Sequence, residues 1–287
     1  GGLVAVLAWR LAADVSAERG LQAGRARTLA LGMGLSAAVF LPLVLHSVLP
    51  DSTMPFGALV LATCLLAARG VRDPRGWRLA DPRVLGLGVL LGLAALPRNE
   101  AIWLALAWVV VARGAATGAG TGTGGWLRLV GGAAIPAMLV FAPWAIRDWV
   151  AFGSPFPGQA LTNALSLHGS DIFAWQETPT VARYLEAGLG TLLALRWQGF
   201  LHNLLNVLLL LGIPVSAIGL VGLAGLVRRG PGQILAMLTW FSALTFVATT
   251  LLFPVATTWG TFLHASAAVQ VLLLLAALLA LDAGIAA

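Results

Sequence analysis

Apolar residues run in blocks along the whole chain, and arginine, proline or glycine interrupts them. Approximate block limits are 2–14, 28–49, 54–70, 83–97, 99–113, 127–147, 199–227, 232–253 and 264–285. Crossing a hydrocarbon core of roughly 30 Å takes about 20 helical residues. The first, fourth and fifth blocks fall short of that; the fourth and fifth meet at Pro97-Arg98-Asn99-Glu100. There is no strand-like alternation and no internal repeat. A backbone facing lipid must satisfy its own hydrogen bonds, so each block predicts a helix. The expectation is an all-α polytopic membrane protein with about nine transmembrane helices. It is read as a single transmembrane domain over 1–287: six spans in 1–147, a long extracytoplasmic loop over 148–198, and three spans in 199–287.

Composition agrees with that pattern. Hydrophobic residues make up 59% of the chain and charged residues 10%, against about 25% charged in a soluble domain. Disorder is excluded as well, since it needs low hydrophobicity and high charge. The 17 basic residues are all arginine and the net charge is +6. That balance raises nucleic acid as a partner, but the arginines are dispersed in ones and small groups and read better as topology determinants. Arg19, Arg25, Arg27, Arg69, Arg72, Arg75, Arg78, Arg83, Arg113, Arg128, Arg228 and Arg229 fall in alternate loops, 12 of the 17. The positive-inside rule makes that side cytoplasmic. The predicted location is the plasma (inner) membrane, multi-pass, with any active site facing outward. The single Cys64 excludes a disulfide framework or a multi-cysteine metal site.

The loops differ in character. Residues 114–125 (GAATGAGTGTGG) read as a flexible low-complexity linker, and 70–83 as a solvated, arginine-rich anchor. In the long outer loop, Thr178-Pro179 resembles a helix cap followed by a first-turn proline. From there Val181, Tyr184, Leu185, Leu189 and Leu192 share one face, predicting an interfacial helix on the membrane surface. Trp144, Trp149, Trp175 and Trp197 bracket the loop as an aromatic belt would.

Ionisable groups near membrane spans are costly and are candidates for function by default. Pro97 places Asn99 and Glu100 at the start of the fifth span, where backbone N–H groups and the positive helix end suit an anion. Arg98 adds a guanidinium fork matched to phosphate; a plain turn with Arg98 and Glu100 paired is the other reading. Arg147 sits where the sixth span ends, at Pro143–Trp149, able to snorkel to phosphate or to pair with Asp148. His168 and Asp171 offer acid–base chemistry or a solvated loop. His46 and Asp51 lie at the end of the second span, where Asp51 either caps a helix or touches substrate. His264 opens the last span, reaching a lipid phosphate or a neighbouring helix. His202, Asn203 and Asn206 are placed for interhelical hydrogen bonds, and Asp282 needs no special role.

Three stretches resemble a known pattern. LPRNEAIWLALAWVVV looks like the R-x-E helix junction of the GT-C superfamily, the integral-membrane glycosyltransferases that use polyprenyl-phosphate sugars. FAPWAIRDWVAFGSPFPGQAL looks like that group's P-W-x-x-R-N-x-x-x-F-G-x-P-x-P stretch, with Asp148 where Asn is commoner. PLVLHSVLPDSTMPFGALVLATCLLA is similar to the helix pair before the R-x-E segment. The resemblance covers about residues 28–165, with a weaker likeness around 257–281.

It implies inverting transfer of a hexosyl or pentosyl group, as in mannosyl- and arabinose-transferring members, from an undecaprenyl- or dolichyl-phosphate donor on the outer face. The acceptor would be a glycan, lipid or protein; the partners are membrane lipid and the donor, not nucleic acid. Arg98, Glu100 and Arg147 match family positions. Where some relatives carry Arg-Tyr to hold phosphate, GTFLHAS offers His264. A lipid-phosphate leaving group needs charge stabilisation more than protonation, which Arg98, Arg147 and a divalent metal would supply. The family's general base lies in a first outer loop that would precede Gly1, so the chain reads as truncated there and no catalytic residue carries over. The rival readings are a transporter or flippase for a lipid-linked glycan, which would place ionisable groups along a mid-membrane path, and a non-catalytic membrane subunit.

Overall fold

The structure is a computed structural model that describes residues 1–71, 81–155, 159–173, 178–230 and 232–285. Residues 72–80 of the expected arginine-rich anchor, Phe156-Pro157 and Trp175 lie outside these. The described residues form helices and no strand. In order they are α1 (Gly2–Glu18), α2 (Ala23–Val39), α3 (Leu41–Val48), α4 (Thr53–Val71), α5 (Pro82–Ala95), α6 (Ala101–Gly118), α7 (Gly122–Phe152) and α8 (Gln159–Leu165). Then come α9 (Gly169–Ile172), α10 (Val181–Glu186), α11 (Gly188–Leu210), α12 (Ile213–Arg228), α13 (Gly232–Leu251), α14 (Pro254–Thr257), α15 (Thr261–Ala265) and α16 (Ala267–Ile285).

Five helices are long and apolar enough to cross a membrane: α4, α6, α7, α13 and α16. The number rises to seven if α2–α3, bent by 51°, and α11–α12, bent by 105°, each count as one span. The expected nine are therefore not all met. At 14 residues, α5 rises only about 21 Å. The first bend follows from Pro42, which has no N–H to donate and crowds the preceding turn, so the helix breaks at Phe40.

The core is built where apolar residues cover a whole helix circumference. Almost every side chain of α16 from Ala267 to Leu279 is buried, and α4 and α13 pack against it, with Phe56 of α4 and Phe241 of α13 buried edge to face on one another. Around this centre, glycines let helices touch backbone to backbone, as small residues do in membrane bundles. A Cβ at Gly92 would meet the Ala137 carbonyl of α7 at 2.7 Å, and one at Gly219 would meet the Leu273 carbonyl of α16 at the same distance. The matching contacts, Gly88 with Ala133 and Gly222 with Ala276, show that α5 runs parallel to α7 and α12 parallel to α16.

Polar contacts sort the connections to two ends. Arg25 forks onto Asp282, and Glu18 accepts from the Gln233 N–H at 2.8 Å, at one end. His46, Asp51, Ser52, Arg98, Glu100 and His264 meet at the other.

Four local expectations need correcting. The glycine-rich 114–125 stretch is mostly helix: α6 continues to Gly118 and α7 starts at Gly122, leaving a short turn with Gly120 at φ +70°. The α6–α7 hairpin is held by Trp126, whose indole N–H donates to the Val109 carbonyl, so packing overrides low propensity. Second, α7 passes through Pro136 and Pro143 and ends at Gly153, φ +72°, instead of stopping at Pro143–Trp149. Third, the helix cap in the outer segment is Thr180, which accepts from the Arg183 N–H, and not Thr178-Pro179. Fourth, the seventh block is not one straight span. Gly212, φ +76°, separates α11 from α12. Since α12 parallels α16, the 105° bend lays α11 across the bundle end. The transverse helix thus starts at Gly188 and runs to Leu210, further than the apolar face from 181 to 192 had placed it.

Candidate functional site

The His–Asp end is assembled from segments far apart in sequence. The short α3 carries His46 in its last turn, and the chain turns back through 49–52 so that Asp51 faces it. Asp51 divides its oxygens: Oδ1 accepts from the Thr53 N–H at 2.9 Å at the head of α4, while Oδ2 meets His46 Nδ1 at 2.7 Å. Burial alone would push the Asp51 carboxyl up, but His46 and the Thr53 N–H outweigh it and hold it below its ordinary value. His264 enters from α15, its Nδ1 3.8 Å from Asp51 Oδ2 and 3.3 Å from Thr53 Oγ1. The two imidazoles stand edge to face, 5.8 Å between centroids.

Gly260 makes room for this. It holds φ +100°, a conformation that strains any residue with a side chain, and a Cβ there would sit 3.0 Å from the His264 ring.

Arg98 and Glu100 form the second half of the site. Nη2 and Nε of Arg98 reach both Glu100 oxygens, at 2.7 and 3.1 Å, and Nη1 donates to Ser52 Oγ at 3.1 Å. Ser52 neighbours Asp51, so the two halves are joined through the 49–52 turn. Arg98 and Glu100 keep only 14% and 12% of their side-chain surface exposed. The paired reading of this junction is therefore what the structure contains. The anion cradle expected at the start of α6 is also closed. The N–H groups of Ala101, Ile102 and Trp103 donate back to the carbonyls of Arg98, Asn99 and Glu100.

The other candidates stand apart from this cluster. Arg147 is exposed, lies 4.7 Å over Trp144 and donates to the buried Asp148 at 2.7 Å; no described contact links it to Asp51 or Arg98. His168 is exposed and caps α9. Its companion Asp171 is a structural clip: Oδ2 accepts from the Leu167 and His168 N–H groups and Oδ1 from Arg183. Burial pushes the Asp171 carboxyl up, and Arg183 with the two N–H groups more than reverses it, leaving it below its ordinary value. The clipped segment covers the α14–α15 connection, with Phe173 against Trp259 at 5.1 Å.

Asn203 does make interhelical hydrogen bonds. Fully buried, it donates to Thr249 and Thr250 of α13 at 3.0 Å and accepts from Thr257 of α14 at 2.7 Å. Asp282 has more to do than expected, as the partner of Arg25.

Chemically, the end offers two imidazoles, a carboxylate shared between His46 and the Thr53 N–H, and a neutralised arginine–glutamate fork. No family model, curated protein or solved structure matches the chain. What the sequence missed is the meeting of His46 and Asp51 with His264. The only signal was that each sits at a helix end predicted to lie on the same side.

Proposed function

We propose that this chain is the membrane domain of a glycosyltransferase that takes a sugar from a polyprenyl-phosphate donor at the outward face of the plasma membrane. One observation carries the reading. An apolar bundle gathers His46, Asp51, Arg98, Glu100 and His264 at the end opposite the Arg25–Asp282 pair. Partly buried ionisable groups at one end of such a bundle are expensive, and binding or chemistry is the usual reason to keep them. A lipid-linked donor needs this arrangement: an apolar wall for the prenyl chain and a headgroup-level polar patch for the phosphate. The three motif stretches supply the direction from that chemistry to glycosyl transfer, and two of them, at 42–67 and 96–111, contribute residues to the patch.

In this reading Arg98 does not meet phosphate with all its donors free. Glu100 and Ser52 hold the guanidinium flat, leaving its remaining N–H groups for a phosphoryl oxygen. Among the described residues the ion pairs that draw distant segments together lie at the bundle ends. The one mid-helix pair, Arg10–Asp14 on α1, is a local i,i+4 contact with Arg10 half exposed. This favours transfer over transport.

The test is transfer in proteoliposomes holding the full natural chain, with polyprenyl-phosphate mannose and arabinose as donors and release of polyprenyl phosphate as readout. Arg98→Lys keeps the charge but loses the fork, and is expected to slow release by at least about tenfold, equivalent to ~1.4 kcal/mol. No release from either donor, or unchanged release by Arg98→Lys, would overturn the proposal.

A further inference from the structure

We infer that His46, Asp51 and His264 form a binding site for a divalent transition-metal ion of the zinc class. One ligand atom from each of the three residues lies within 4.8 Å of the other two. A tetrahedral ion with bonds of about 2.0–2.1 Å needs its ligand atoms roughly 3.3 Å apart. His46 Nδ1 and Asp51 Oδ2 are 2.7 Å apart, and His264 Nδ1 and Asp51 Oδ2 3.8 Å. The required spacing falls between these two distances, and the ligand atoms of the two imidazoles, within 4.8 Å of each other, close on the ion by side-chain rotation.

The surroundings are those of a prepared site. Asp51 Oδ1 is already taken by the Thr53 N–H, which leaves Oδ2 as a single, oriented ligand. Metal-ligating carboxylates are characteristically fixed this way by an outer hydrogen bond. Gly260 keeps the space beside the His264 ring clear. Two imidazoles and one carboxylate select Zn²⁺ and its neighbours over Mg²⁺ or Ca²⁺, which take oxygen ligands. Three protein ligands leave a position open, the arrangement of sites where the ion acts on a substrate oxygen and not only on the fold. On binding, the His46–Asp51 hydrogen bond and the His264–Thr53 contact give way to the ion, each imidazole carrying its single N–H on Nε2.

This site stands independently of glycosyl transfer, because its test needs the metal alone. The full chain, purified in detergent and stripped with chelator, is titrated with Zn²⁺ calorimetrically and with Co²⁺ by visible absorption. The expected result is one equivalent of Zn²⁺ and the intense Co²⁺ bands of a four- or five-coordinate site. His264→Gln and His46→Gln are each expected to weaken Zn²⁺ at least about a hundredfold, while His202→Gln, on α11 away from the cluster, leaves it unchanged. Mg²⁺ should not compete. A wild-type Co²⁺ spectrum no different from the aquo ion would overturn the inference, even if both histidine variants failed to fold. So would equal Zn²⁺ affinity in wild type and in a folded His264→Gln protein.

Discussion

At the arginine-rich end of the bundle, Arg25 reaches Asp282 with over a third of its side chain in solvent, and Glu18 accepts from a backbone N–H at the start of α13. At the opposite end Arg98, Glu100, Ser52, Asp51, Thr53 and both histidines form one connected, half-buried set. Both ends use an arginine–carboxylate fork. The surroundings make the difference: the pair more open to solvent is screened and worth less, whereas the more desolvated pair is costly to build and more costly to break. One end carries charge for its position, and the other holds charge in place.

The sharpest way to break this comparison is to remove one partner at the buried end. Arg98→Ala leaves Glu100 as a buried, unpaired carboxylate and is expected to cost about 3 kcal/mol in detergent unfolding. The double variant Arg98→Met/Glu100→Leu should recover most of that loss. A single variant as stable as wild type would mean the pair is hydrated after all.

Asn203→Leu comes next. It strands the Thr257 hydroxyl and cuts α11 from α13, with an expected loss of about 2 kcal/mol. Proteolysis confined to α11 should accompany it.

Acid sharpens the comparison at the same end. The Asp171 carboxyl is held below its ordinary value, so its clip is at full strength above the unfolded aspartate value of about 3.9 and is lost only as pH falls through the lower folded value. Limited proteolysis of the 166–186 segment should therefore show protection persisting below about pH 3.9. Asp171→Asn should show weaker protection at neutral pH. Loss of protection at the ordinary aspartate value would mean that Arg183 does not hold the carboxylate.

The smallest effect is expected from Arg25→Ala, a change in unfolding midpoint within measurement error that added salt abolishes. A loss comparable to that of Arg98→Ala would erase the distinction between the ends.

Much of the fold was legible because apolar blocks and arginine punctuation report directly on lipid and water. The blocks at 54–70, 232–253 and 264–285 emerge close to their expected limits. What was illegible depends on three-dimensional packing. A string of glycines from 114 to 125 reads as a linker until Trp126 and Val109 clamp the hairpin. Residues 199–227 read as one span, because hydropathy is blind to the direction a chain takes after Gly212. The Arg98–Glu100 junction was legible as a place, whereas its tie to Ser52, 46 positions away, was not. His264 and Asp51 are 213 positions apart in the chain, beyond the reach of any local spacing rule.

The transverse α11 has a mechanical consequence. Leu189, Leu193, Trp197, Leu201, Leu205 and Leu209 recur every fourth residue on its exposed face, while the buried Asn203 amide is fastened to three threonines. The helix is thus a beam with an apolar outer face, bolted at Asn203. Displacing α11 therefore loads Thr249 and Thr250 of α13 and Thr257 of α14 through that amide. Because α14 is bolted to the same amide and leads through Gly260 into α15, the strain arrives one short turn from His264.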